Sequence, residues 1–165
     1  MGARYQQWQP RFSETPATLE ALQSVLLKNR GFKQQSKLEY GDYGLLDALS
    51  AIHKAILAGK KIALYADYDV DGTMSCVSWI WFFRSIGYTN FCYYIPDRFS
   101  EGYGVNLGAV KYLVEQKQAE LIITMDTGIT ANEEALWCKN QGVQFICTDH
   151  HKVQPDKIPD GIILN

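Results

Sequence analysis

Three aspartates at alternate positions, Asp67, Asp69 and Asp71, follow the apolar run Ile62–Ala66 in "IALYADYDVDGTMS". In extended chain, residues two apart point to the same side. Two carboxylates about 4 Å apart repel by roughly 4 kcal/mol at an effective dielectric near 20. Protons, lysines, wide separation in a loop or a cation must offset that repulsion, and carboxylate oxygens suit hard cations such as magnesium and manganese. Turn chemistry is the plain alternative; it explains Asp71-Gly72 well and Asp67 poorly. A second acid, Asp126 in "LIITMDTGIT", follows another apolar run. Alone it reads equally well as a cap at a strand-to-helix junction, while Gly128 lets the backbone pass close to a metal or phosphate. The sharpest element is "TDHH", where His150 and His151 follow Asp149. Imidazole binds manganese while staying mostly neutral at pH 7, and Asp149 is placed to orient a histidine. His53, in the middle of a helical pattern, is read as structural. Finally, "PDRFSEGYGVN" (96–106) is a glycine-rich loop in which Arg98 and Tyr103 can hold a phosphate backbone and stack a base; a flexible surface loop is the bland reading.

These residues need elements to position them. From about Lys60 onward, apolar strand-like runs alternate with helical patterns: strands at 61–67, 90–96, 119–126, 143–149 and 161–165, helices at about 73–86, 107–118 and 130–141. The rhythm predicts an α/β fold, an open, mostly parallel five-stranded sheet with helices on both faces and right-handed crossovers. A strand order of 2-1-3-4-5 puts the first, third and fourth strands side by side. Their carboxyl ends carry Asp67, Asp126 and Asp149-His150-His151, and ligands bind at such ends in open parallel sheets. Upstream, residues 1–16 read as a loose arm. A helix is expected near 17–28, and another near 45–58 with Leu45, Leu49, Ile52 and Ile56 on one stripe. The whole is expected to be one domain over 1–165, a helical lead-in (1–59) and a parallel-sheet core (60–165).

The 165 residues are enough to bury a real core, and 47% hydrophobic content argues against disorder. No apolar run approaches a membrane span, and the opening "MGARYQQWQP" lacks the apolar core of a signal peptide. Four cysteines without CxxC spacing suit a reducing, cytoplasmic compartment. A formal charge of −2 does not advertise a nucleic-acid partner, but bound divalent cations would turn the acidic face positive.

Four motifs in order, "YADYDVDG", "PDRFSEGYGVN", "TMDTGIT" and "TDHH", resemble the N-terminal catalytic portion of the DHH phosphoesterases over about 59–165, and the "RFSEGYG" loop is similar to the RecJ-like branch of single-strand-specific DNA exonucleases. The resemblance implies two metal ions, manganese or magnesium, on Asp67, Asp69, Asp71, Asp126 and His150, with Asp126 bridging them. It gives Asp126, His150 and His151 catalytic roles, His151 at the scissile phosphate or behind the metal ligands, and Asp149 a supporting one. Arg98, Gly102, Tyr103, Gly104 and Gly128 fall along the substrate path. The implied reaction is 5′-to-3′ hydrolysis of single-stranded DNA, in DNA repair or recombination. Partner proteins such as a single-strand-binding protein or helicase are not readable. The DHH-associated and oligonucleotide-binding domains that follow in the family, and a further metal-binding aspartate, fall outside these residues. Three rivals stay open: a DHH phosphoesterase acting on pyrophosphate, cyclic dinucleotides or short oligonucleotides; a haloacid-dehalogenase-like phosphatase using "DVDGT", with Asp69 as nucleophile and Asp71 as acid; and an inactive nucleic-acid-binding module.

Overall fold

The computed structural model describes residues 44–165, together with Thr18, Ala21 and Ser24. The chain divides into two compact units, Met1–Tyr40 and Gly41–Asn165. In the first, Thr18 Oγ1 accepts the Ala21 N–H at 3.1 Å, and Ala21 and Ser24 are helical. The remainder of the helix expected near 17–28, and the arm 1–16, lie outside the described residues.

The second unit is built from helix α1 (Leu45–Leu57), β1 (Ile62–Ala66), α2 (Val70–Ser85), β2 (Phe91–Tyr94), α3 (Leu107–Lys111) continuing into a π turn (Tyr112–Gln116), β3 (Leu121–Met125), α4 (Asn132–Asn140), β4 (Gln144–Thr148) and β5 (Ile162–Leu164). The five strands form one sheet in the order β2-β1-β3-β4-β5, with every pairing parallel. That is the expected fold class and strand order. Central strands β1 and β3 are buried along their whole length, which is why they read as unbroken apolar runs instead of alternating ones.

Successive side chains of the strands feed two cores. On one face Ile62, Leu64, Leu121, Ile123 and Ile146 pack with α1 and α2. On the other, Ala63, Tyr65, Ile122, Phe145 and Cys147 pack with α3, its π turn and α4.

Two local expectations are corrected. The buried stripe of α1 is Ala48, Ala51, Ile52 and Ala55, whereas Leu45 and Leu49 are exposed. Small side chains let α1 lie close to the sheet edge. At its N-terminus, Gly44 has φ 78°, and a Cβ there would sit 2.7 Å from the Ile163 carbonyl oxygen. The second correction is the start of α2. The chain leaves the strand after Ala66, and Asp69 is already the N-cap, its Oδ1 accepting the Gly72 N–H at 2.9 Å. Asp71 therefore lies in the first helical turn, so the extended-chain argument for three aspartates on one side covers only Asp67 and Asp69.

Candidate metal centre

Strand register sets the level of the acids. Ala66 pairs with Met125, Met125 with Thr148, and Thr148 with Leu164. The ladder runs one residue further: the Asp67 N–H donates to the Met125 carbonyl, Asp126 N–H to Thr148, and Asp149 N–H to Leu164, at 2.9–3.1 Å. Asp67, Asp126 and Asp149 thus form a row across three adjacent strand ends, about 4.8 Å apart from strand to strand.

Each acid is then aimed differently. Asp67 Oδ1 accepts the next residue's N–H, that of Tyr68, at 2.8 Å. Asp126 adopts φ 59°, the left-handed region rare outside glycine. The turn behind it is locked by the Thr124 hydroxyl, which donates to the Thr127 carbonyl at 2.7 Å, and by the Thr148 hydroxyl, which donates to Thr124 at 2.6 Å. Gly128 has φ 109°, and a Cβ there would lie 2.5 Å from Thr124 Oγ1, so the tight turn itself demands glycine.

Asp67, Asp69 and Asp126 each offer a carboxylate oxygen within 4.8 Å of the others, and Asp126, His150 and His151 form a second such group. Asp126 belongs to both. Asp71 is in neither but lines an open cleft of ≈ 470 Å³ with Asp126, Thr148, Asp149 and His150. Asp67 and Asp126 are only 3% and 9% exposed. Burial, the hydrogen bond shared with Asp69 and the Asp69 charge push the Asp126 carboxyl up, while His150 Nε2, 2.8 Å away, pulls the other way. Burial likewise raises Asp67. Asp69 is held low, chiefly by the Gly72 N–H. Two buried carboxylates and the exposed Asp69, with no lysine or arginine paired to them among the described residues, fit a hard divalent cation, and the adjoining imidazoles suit manganese.

Asp149 is a hub. Burial alone would raise its carboxyl, but donors outweigh it: the Ile129 N–H to Oδ2 at 3.0 Å, and to Oδ1 the His151 ring and the backbone N–H groups of His151 and His150. Its carboxyl therefore sits below the usual range. The His151 Nδ1 contact, 2.7 Å, in turn raises the His151 pKa.

The glycine-rich loop reaches this centre through Tyr103. The Tyr103 hydroxyl lies 3.1 Å from the His151 ring nitrogens. Burial and the surrounding aspartates push that phenol up to about 12. Gly102 and Gly104 take φ 78° and 100°. The Gly104 carbonyl accepts the Tyr65 hydroxyl at 3.0 Å, and the Arg98 guanidinium lies 5.4 Å over the Tyr68 ring. Tyr65, Tyr68 and the loop hubs Asp97 and Glu101 were missed in the sequence. The signal available was faint: Asn106 before an apolar run marks a helix cap, and it also bonds Tyr65 and Glu101.

Carboxylates and imidazoles gathered at the carboxyl edge of a doubly wound parallel sheet make this an α/β domain with a candidate metal site. The chain belongs to the DHH family: the family model described as "DHH family, N-terminal domain" matches residues 61–165. It is 40% identical over 117 residues to the single-stranded-DNA-specific exonuclease RecJ of Bacillus subtilis (strain 168), covering 71% of this chain and 14% of that protein. Against the RecJ of Salmonella typhimurium it is 31% identical over 158 residues, 90% of this chain and 27% of that protein. A solved exonuclease RecJ bound to manganese matches with TM-score 0.67 at 32% identity, over 73% of this chain and 30% of that one. A structure of RecJ from Thermus thermophilus in complex with Mn2+ matches with TM-score 0.65 at 25% identity, over 87% and 21%. This chain thus spans 14% and 27% of the length of those two curated relatives.

Proposed function

We propose that this chain is the metal-binding part of a RecJ-type nuclease that hydrolyses phosphodiester bonds of single-stranded DNA from the 5′ end, with two manganese (or magnesium) ions. The observation that carries this reading is the pair of ligand groups sharing Asp126. Its similarity to single-stranded-DNA-specific exonucleases supports the substrate class. Divalent ions in such a site supply Lewis acidity, lowering the pKa of water and offsetting phosphate charge.

The chain's own residues do the rest. Asp67 and Asp69 on one side and His150 on the other would hold the ions, and Asp126, which belongs to both groups, would serve each. Asp71, which lines the same cleft as Asp126 and His150, would add a further carboxylate to the second group. Asp149 fixes the His151 ring through Nδ1, and Nε2, now 3.1 Å from the Tyr103 hydroxyl, would reach a phosphate oxygen as Tyr103 gives way. Arg98 offers N–H donors to the strand's backbone, and Gly102, Tyr103, Gly104 and Gly128 border the path. Such a nuclease would serve DNA repair or recombination in the cytoplasm, where four free cysteines remain reduced.

The haloacid-dehalogenase-like alternative fits less well, because Asp69 lies beyond the strand end and the reading leaves Asp67 and the paired histidines without a part. To test the proposal, the chain is incubated with manganese and end-labelled single-stranded DNA, duplex DNA or a phosphatase substrate. Mononucleotides from the single strand alone are expected. Cleavage of the phosphatase substrate alone would overturn the nuclease reading, and tight binding without cleavage would make this a binding module.

A further inference from the structure

One conspicuous side chain beside the centre has no part in the proposed chemistry. Phe99 is 94% exposed, and a phenyl ring left in water forgoes most of the benefit that burial gives an aromatic. Its backbone is nevertheless firmly held. Asp97 Oδ1 accepts the Phe99 N–H at 3.0 Å, the Ser100 N–H at 2.9 Å and the Ser100 hydroxyl at 2.8 Å. The Asp97 N–H donates to Glu101 Oε2 at 2.8 Å, and Glu101 Oε1 accepts from Tyr94 on β2 and from Asn106, the cap of α3. Two carboxylate hubs thus clamp the turn that presents Phe99. Its neighbour Arg98 is moored over Tyr68, the residue between Asp67 and Asp69.

We propose that Phe99 is a stacking platform for a nucleobase of the single strand, while Arg98 takes an adjacent phosphate. This rests on the nuclease reading above and adds a residue to it. A ring beside a guanidinium matches the alternation of base and phosphate along an unpaired strand. Having no hydrogen-bonding group, Phe99 would accept any base, and a clamped turn loses little entropy on binding.

The test is fluorescence anisotropy in manganese with a labelled, nuclease-resistant phosphorothioate oligothymidylate and a matched abasic strand, using wild type, Phe99→Ala and Phe99→Trp. Phe99→Ala is expected to bind the base-bearing strand roughly 5- to 150-fold more weakly, with an unchanged melting temperature. Phe99→Trp should restore binding, and the preference for bases over abasic sites should shrink in Phe99→Ala. Equal affinity of Phe99→Ala and wild type overturns the proposal, as does a loss that is the same on the abasic strand. If wild type binds neither strand, the nuclease reading itself falls.

Discussion

Asp126 holds a backbone conformation that costs roughly 1–2 kcal/mol for most L-residues, and it gains a direction: its Oδ1 meets His150 Nε2 at 2.8 Å. Because burial raises its folded pKa, its contribution is fully favourable below the ordinary carboxylate range and is lost as pH rises through the raised value. At neutral pH, Asp126→Asn should therefore raise the melting temperature of the metal-free protein. It should also abolish the manganese-induced rise, which in wild type would reflect about 2.7 kcal/mol of stabilisation per site at 100 times Kd. Melts in EDTA and in manganese check both, and a retained manganese shift would refute the shared-ligand role. Asp149 has the opposite sign. Its depressed pKa stabilises the fold above the ordinary carboxylate value, and this is lost as pH falls through the lowered one. Asp149→Ala strands the Ile129 N–H and the His151 ring, an expected loss of roughly 1–3 kcal/mol by urea denaturation at pH 7, with a shallower decline towards acid. Tyr103 separates two roles. Tyr103→Ala should cost roughly 1–3 kcal/mol of strand affinity if a base stacks there. Tyr103→Phe keeps the ring and removes the His151 contact, so it should spare affinity and lower turnover; anisotropy beside a nuclease assay distinguishes them.

At the scale of elements, the join of β1 to α2 governs the centre. A Cβ on Gly72 would lie 2.4 Å from the Asp67 carbonyl oxygen, so Gly72→Ala must push the helix start away from the strand end. The expected cost is roughly 1–3 kcal/mol, with weaker manganese binding by calorimetric titration; wild-type stability and affinity would show that the join yields freely. The strands and their order were legible because the apolar runs of β1 and β3 are long, unbroken and followed by acids. The start of α2 was not: "DVDGT" is ordinary turn chemistry, and only the Asp69 cap makes it helical. The face of α1 was half read: Ile52 and Ile56 do pack on the core, but periodicity also favoured the large Leu45 and Leu49, whereas a close approach to the sheet selects Ala48, Ala51 and Ala55. The strand-end acids of the centre could be read from position alone. The contact of Tyr103 with His151, 48 residues apart, and that of Arg98 with Tyr68 join loops, and no repeat in a sequence encodes loop-to-loop proximity.

For the molecule as a whole, the proposed ions would bear on both charge and sheet assembly. Two divalent cations, bound as proposed, would bring the formal charge from −2 to +2, so oligonucleotide affinity should collapse in EDTA and, in manganese, fall with added salt. Affinity unchanged by EDTA would separate strand binding from the metal. Among the described residues no helix is long and apolar enough to cross a membrane. The row Asp67–Asp126–Asp149 also has a kinetic consequence. It exists in a single threading: sliding β3 or β4 by one residue shifts its aspartate by about 3.3 Å and turns it to the opposite face. Parallel sheets close long loops and assemble slowly, so mis-threaded intermediates are a real hazard during refolding. A cation held by Asp67 of β1 and Asp126 of β3, as proposed, would favour only the aligned pairing of those two strands. In stopped-flow refolding, manganese capture should coincide with the last phase, and recovery of native protein should improve when the ion is present from the start.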